Sequence, residues 1–271
     1  MSETAPPLPA EIVLLEGPDA GSFMHGQFTT NVLALREGQW HFSAWLDAQG
    51  RVRALFHVAR LAEDRWALLL RGGKSESLVA ELTRYVFRAR VRMSALEASS
   101  LRMEAAANLY VAKEVGDSLH LGCGDHRIAS GKNNVADDGL REAQIRHGWP
   151  WLPTGALGRY TAAALALHHL GAIALDKGCY PGQEIVARLH YRGGNKRRLC
   201  RVILSQHVSP DAELQRADDG ASLHVLDVAR EGTACHALVV AHDSWLVVPH
   251  DVSTMLCTDD TRVQIVEAWD E

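Results

Sequence analysis

Short apolar runs broken by Gly, Pro and Asp recur along the chain, and most read as strands rather than helices. Glu11 to Gly17 has the Ile-Val-Leu-Leu content of a buried strand, ended by Gly17-Pro18-Asp19. Asp19 is placed to cap a helix carrying Phe23, Met24 and Phe28, with Thr29-Thr30-Asn31 at its end. Trp40 to Leu46 and Arg51 to Leu61 predict a hairpin around Asp47-Ala48-Gln49-Gly50, and Val52, Ala54, Phe56 and Val58 alternate along the return strand. A strand follows at Arg65 to Leu70. After the Arg71-Gly72-Gly73-Lys74 turn, which lacks the spacing of a phosphate loop, Ser75 is expected to cap a helix with Leu78, Val79, Leu82 and Val86 on one face. Val91 to Leu96, Leu109 to Val115 and Ser118 to Gly122 read as strands. This order has no regular βαβ alternation, which argues for an α+β fold.

Asn133 to Gly139 is polar and reads as a crossover returning the chain to its first unit. Leu140 to Gly148 and the Ala/Leu-rich Thr161 to His169 read as helices, with the stiff Trp149-Pro150-Trp151-Leu152-Pro153 between them as a lid or an edge. Leu170 to Leu175 is strand-like and Ile185 to His190 helical. Leu199 to Leu204, Ser222 to Val228, Ala234 to Ala241, Ser244 to Val248 and Val263 to Ala268 have the spacing of a small closed or semi-closed β unit. Residues 1–10 read as a disordered lead-in.

Composition narrows the function classes. A chain of 271 residues with 47% hydrophobic content can fill two or three cores. The net charge of -5 supplies no global basic field, so nucleic-acid contact would need a local patch. No apolar run is long enough for a membrane span, and the polar, proline-rich start resembles neither a signal nor a transit peptide, so a cytoplasmic protein is expected. Five scattered cysteines without a Cys-x-x-Cys, and fourteen histidines without a His-Glu-x-x-His, indicate neither a disulfide framework nor a chain-encoded metal centre.

Candidate chemistry concentrates in Asp176-Lys177-Gly178-Cys179-Tyr180-Pro181-Gly182-Gln183-Glu184. A cysteine beside a lysine and just before a helix start sits where thiols ionise more readily, and the thiolate is the nucleophile and metal ligand. The plainer reading is an ordinary loop cysteine. Downstream, Arg188, Arg192, Lys196, Arg197 and Arg198 occur with no acid among them. They could form an RNA-phosphate patch or a site for an anionic ligand such as a carboxylate-bearing cofactor; alone they would be a solvated basic loop, and directly after the cysteine motif they favour an anionic ligand or substrate.

Lys177-Gly178-Cys179-Tyr180-Pro181-Gly182-Gln183-Glu184, with Arg188 and Arg192 to Arg197, resembles the signature of the YgfZ family, folate-binding proteins related to the glycine-cleavage T-protein. The segment from Gly17 to Val32 and the hairpin turn at Asp47 to Arg51 resemble the same family. The resemblance implies a T-protein-like three-domain ring: an α+β domain from 1–50 and 140–200, a ferredoxin-like insertion at 51–139 and a small β-barrel at 201–271. The chain is short for the family, so insertion and barrel must be trimmed. It further implies tetrahydrofolate as ligand and a role in assembling or repairing iron–sulfur clusters of client enzymes, including tRNA-thiolating ones.

On that resemblance Cys179 is the reactive group, with Lys177 lowering its pKa. Gln183, Glu184, Arg188, Arg192, Lys196, Asn31 and Tyr160 would hold the ligand. Cys179 could accept a persulfide, form a mixed disulfide or transiently ligate iron. Where relatives carry side-chain amides upstream of the cysteine, this chain has Tyr160, Ala162, Ala163, Ala166 and Leu167, which removes partners for a polar head group. The competing readings are a folate-dependent one-carbon transferase, a tRNA-binding module using the 188–201 basic patch, and a cysteine hydrolase using His190, which lacks any accompanying third member.

Overall fold

The computed structural model describes residues 6–97, 99–132, 136–232, 234–246 and 254–269. β1 (Pro9–Ala10), β2 (Ile12–Glu16) and α1 (Ala20–Gln27) open the chain, and the hairpin of β3 (Gln39–Leu46) and β4 (Val52–Ala62) leads through β5 (Arg65–Leu70) and α2 (Ser75–Thr83) to β6 (Arg92–Ala95). β7 (Ser99–Glu104), β8 (Ala112–Val115), β9 (Ser118–Gly122) and β10 (Arg127–Gly131) precede α3 (Asp138–Arg146). α4 (Gln183–Arg192) then runs into β11 (Arg197–Leu204), β12 (Glu213–Gln215), β13 (Ser222–Glu231), β14 (Ala234–His242), β15 (Met255–Leu256) and β16 (Arg262–Trp269).

The strands form three antiparallel sheets, in the orders β3-β4-β5-β2-β6, β1-β7-β10-β9-β8 and β12-β13-β14-β11-β16-β15. β2 is apolar from Ile12 to Leu15 because both its faces are covered: Val13 and Leu15 meet α1 and α2, while Ile12 and Leu14 face the central core. Each such side chain contributes roughly 1.5–3 kcal/mol on burial. The C-terminal sheet encloses a core of its own around Val202, Val225, Val239 and Trp245, and turns Leu199, Leu238 and Val240 toward the central one. α3 is tied to that sheet by the buried ion pair of Arg141 with Asp227. The architecture is the expected α+β; the 50/51 limit falls in the β3–β4 turn, between strands paired along their length. No helix among the described residues is long and apolar enough to cross a membrane.

Several local expectations change. Thr161 to His169 is not a helix but a series of turns, with Ala166 at φ 51° and Ala162 to Leu167 all buried. The left-handed Ala166 interrupts the helical ladder, and the Ala166 N–H donates to Ala163 and the Leu167 N–H to Ala162, both at 3.0 Å, in place of regular i to i−4 bonds. Leu170 to Leu175 joins no sheet; Thr29 and Thr30 hydroxyls donate to the Ala172 carbonyl at 2.6 and 3.1 Å instead. These threonines lie beyond α1, which ends at Gln27, and both are buried. Asp19 sits at the N-cap of α1, yet its carboxylate accepts from Arg90 rather than from the helix. Lys74 occupies the N-cap of α2, because the Ser75 hydroxyl donates to buried Glu11 at 2.8 Å. Trp149 to Pro153 is no lid: the Trp149 and Pro150 carbonyls accept from buried Arg71. Asp243–Trp245 is a 3-10 turn where a strand was expected, and 247–253 lie outside the described residues, as do 133–135 of the expected crossover. Pro9–Ala10 of the lead-in pairs with Ser99 and Ser100.

Candidate functional site

The cysteine loop is held by its neighbours in the fold. Gly182 caps α4 at φ 78°, a left-handed conformation that favours glycine. A Cβ there would lie 2.5 Å from the Asp47 carbonyl oxygen and 2.9 Å from Gly50 Cα, so the hairpin turn and the start of α4 meet backbone to backbone. Gln183 Oε1 accepts from the Tyr180 N–H at 3.2 Å and closes the turn before the helix. Tyr180 is buried in the central core, with its hydroxyl unpartnered. These anchors leave Cys179 at the surface, at the edge of a cavity of about 530 Å³ lined also by Ala48, Pro181, Glu184 and Ala187.

Cys179 differs from the other four cysteines. All of those are buried, and burial pushes the thiols of Cys123 and Cys200 up to about 12 and that of Cys257 up to about 11. Cys179 alone among the five is exposed.

Lys177 does not serve the thiol as expected. Its ammonium donates to the carbonyls of His25, Phe28 and Thr30, using all three of its donors. Burial pushes it down to about 8, and its Nζ lies 5.0 Å from the Tyr180 ring centroid. Its position identifies it as a tie between the end of α1 and the cysteine loop. Two stretches far apart in sequence, Phe23 to Asn31 and Asp176 to Glu184, are thereby joined.

A second cavity, of about 570 Å³, opens on the neighbouring face of α4. Ile185, Arg188 and Leu189 of the helix line it, against Gln183, Glu184 and Ala187 on the thiol side; Ala48 borders both. Arg51, Arg159, Arg188, Lys196 and Arg197 surround it, and no Asp or Glu is among its lining residues. Arg159 is paired with Glu213. Arg51, Arg188, Lys196 and Arg197 have no carboxylate partner among the described residues, and Arg197 Nη1 is buried without a hydrogen-bond partner. Tyr160 forms one wall. The guanidinium carbons of Arg159 and Arg197 lie 5.2 and 5.8 Å from its ring centroid. Its buried hydroxyl, pushed up to about 12, donates to His224 Nδ1 at 2.9 Å, and His224 Nε2–H donates to Asp211 at 2.9 Å.

Of the expected site residues, Arg188, Lys196 and Tyr160 therefore share the basic cavity, while Gln183 and Glu184 line the thiol cavity with Cys179. Arg192 is exposed at the end of α4, and Asn31 precedes the 3-10 turn Val32–Ala34; neither lines these cavities. Arg51, Arg159, His224 and Asp211 were not anticipated. Arg51 was visible as the residue after the hairpin turn, but nothing in the sequence brings it to Arg197.

Asp125, His126 and His147 also converge closely enough to suggest a cation site. Arg71 donates to Gln144 Oε1 at 2.6 Å, which turns the amide N–H toward His126 Nε2 at 3.2 Å. The ring proton then sits on Nδ1 and is donated to Asp125 at 2.7 Å. His147 Nε2 also pairs with Asp125, at 3.0 Å, so the three side chains are joined by hydrogen bonds.

No family model matches the chain. It is similar to the tRNA-modifying protein YgfZ of Aliivibrio fischeri strain MJ11, with 27% identity over 226 residues, covering 74% of this chain and 71% of the relative. The YgfZ protein of Edwardsiella ictaluri is 27% identical and covers 93% of this chain and 86% of its own length. That of Escherichia coli strain SE11 is 29% identical over 238 residues, covering 74% and 72%. The similarity to YgfZ proteins thus extends over most of the chain. In fold it is similar to the glycine cleavage system aminomethyltransferase T from Bartonella henselae, with a TM-score of 0.68 at 17% identity over 95% of this chain and 82% of that one. The YgfZ-like octapeptide thus lies on a T-protein-like fold, with its cysteine at the rim of one cavity and its downstream arginine at the rim of the next.

Proposed function

We propose that this chain is a folate-binding-type accessory protein of tRNA modification, with the basic cavity as its ligand site and Cys179 as its reactive group. The observation that carries the reading is the basic cavity itself: four cations without carboxylate partners among the described residues, one with a buried N–H unpartnered among them, converge there beside the exposed Cys179. Such a lining suits the carboxylate-bearing tail of a folate. Ala162, Ala163, Ala166 and Leu167 are buried in the core and offer no side-chain partner to a pterin head group. The residues therefore fit the anionic end of the ligand, and head-group recognition is not assigned to that segment.

The finer reading follows the family resemblance. In it the C-terminal sheet is the small barrel of a T-protein-like ring, and Cys179 supports assembly or repair of iron–sulfur clusters in client enzymes that thiolate tRNA. The exposure of Cys179 and the burial of the other thiols support it as the group that meets sulfur or iron. In this role Lys177 and Gln183 fix the loop, and Arg188, Lys196 and Arg197 hold the ligand's negative charge.

Calorimetric titration with tetrahydrofolate tests the ligand half of the reading. Saturable binding by the wild type, weakened roughly tenfold or more in Arg188→Gln/Arg197→Gln, is expected from the loss of charge-assisted hydrogen bonds. Absence of binding, or an affinity indifferent to both arginines, would sink it.

A further inference from the structure

Between α2 and β6 the chain reads Arg84-Tyr85-Val86-Phe87-Arg88-Ala89-Arg90-Val91-Arg92, and the fold sorts these side chains by face. Val86, Ala89 and Val91 pack against the core under α1 and α2. Phe87 points outward and is 86% exposed, with Tyr85 46% exposed beside it. The backbone enforces this. Tyr85 N–H donates to Leu82 at 2.9 Å, Val86 N–H to Thr83 at 3.1 Å, and Arg90 N–H to the Asp19 carboxylate at 2.7 Å. Gly17 lies so close that a Cβ on it would be 2.2 Å from the Arg90 carbonyl oxygen. Tyr85 is backed by an edge-on contact with Trp45, with centroids 6.0 Å apart.

The charges around the rings are available. Arg90 is committed to Asp19, but Arg84 and Arg88 have no ion-pair partner among the described residues. Arg92 sits across from Glu16, whose carboxylate is held by Arg65. An exposed ring flanked along the chain by arginines without ion-pair partners among the described residues has the chemistry that binds unpaired bases by stacking and their phosphates by charge. An acidic protein surface would satisfy the arginines and leave Phe87 without a partner. A lipid surface calls for a broader apolar face than two rings supply.

We propose that Arg84–Arg92 is a docking surface for single-stranded nucleic acid, with Phe87 and Tyr85 stacking on bases and Arg84, Arg88 and Arg92 meeting the flanking phosphates. The surface shares no residue with either cavity on α4, so it stands independently of the folate reading.

Fluorescence anisotropy of the full chain with a short fluorescein-labelled oligouridylate tests it. Wild type should bind with an affinity that falls as salt rises. Phe87→Ala should weaken binding roughly 5- to 150-fold, the range for loss of one stacked base. Arg84→Gln/Arg88→Gln should reduce the slope of log affinity against log salt by about 1.4, or about 0.7 per phosphate contact. All three positions are exposed, and unchanged thermal melting would establish that the variants fold. Undetectable binding by wild type, or binding indifferent to Phe87→Ala, would overturn the proposal. So would loss of binding only in Arg188→Gln/Arg192→Gln/Lys196→Gln, which would move the contact to α4. Preferential binding of polyglutamate, insensitive to Phe87→Ala, would assign the surface to an acidic protein and overturn it equally.

Discussion

The two cavities flanking α4 are built in opposite ways. The thiol cavity is made almost entirely from one stretch, Cys179 to Ala187, with Ala48 as its only distant member. The basic cavity draws its charges from the hairpin, the Arg159–Tyr160 segment, α4 and the start of β11. An exposed thiol can be placed by local backbone geometry, here a left-handed Gly182 and a turn closed by Gln183. The basic site adds Arg51 and Arg159 from distant segments to Arg188, Lys196 and Arg197 of the contiguous basic run. Damage to the first site should act through the backbone, and damage to the second through ligand affinity.

The sharpest way to break that contrast is Gly182→Ala. The new Cβ would strike the hairpin turn and occupy a left-handed backbone, so a loss of about 3 kcal/mol is expected in urea denaturation, with both cavities disturbed together. Arg188→Gln/Arg197→Gln should do the reverse, costing about 2 kcal/mol of anionic-ligand affinity while leaving the rate of Cys179 alkylation without ligand unchanged.

Lys177→Met comes next. Three carbonyls lose their donor, and the variant should be destabilised by about 1–2 kcal/mol at pH 7. The pH dependence has a defined sign. Burial pushes Lys177 from 10.5 down to about 8, so between those values the unfolded chain binds the proton that the folded protein has released. The burial cost of the charge is fully present below about 8 and lifts as pH rises toward 10.5, so wild type should gain stability relative to Lys177→Met across that window. Urea midpoints of both proteins at pH 7 and near pH 10 measure it. The smallest effect is expected from Tyr160→Phe. It removes the hydroxyl donated to His224 but keeps the ring beside Arg159 and Arg197, costing about 1 kcal/mol of stability and little ligand affinity.

What could be read from sequence divides along the same line. The hairpin, β5 and α4 were legible because alternation, turn residues and helix punctuation are local signals. The cysteine motif stands out in sequence because it is contiguous, and the fold places Cys179 at the surface beside a cavity. Adjacency along the chain suggests the thiol as the neighbour of Lys177, and nothing in the sequence points to the carbonyls more than a hundred residues away that its side chain reaches. Thr161 to His169 misled for a related reason, since high helix propensity does not reveal the left-handed Ala166 that interrupts the ladder. The partners of Tyr160 in the C-terminal sheet, and the convergence of Arg51 with Arg197, depend on contacts between segments that no spacing encodes.

The direct test of two adjacent, communicating sites is the rate of Cys179 alkylation by iodoacetamide, followed by intact mass, as tetrahydrofolate is added. Because Ala48 borders both cavities, occupancy of the basic one should slow alkylation saturably, with a midpoint equal to the calorimetric Kd and no such effect in Arg188→Gln/Arg197→Gln at the same concentrations. An alkylation rate that stays constant while calorimetry shows the ligand bound would contradict it.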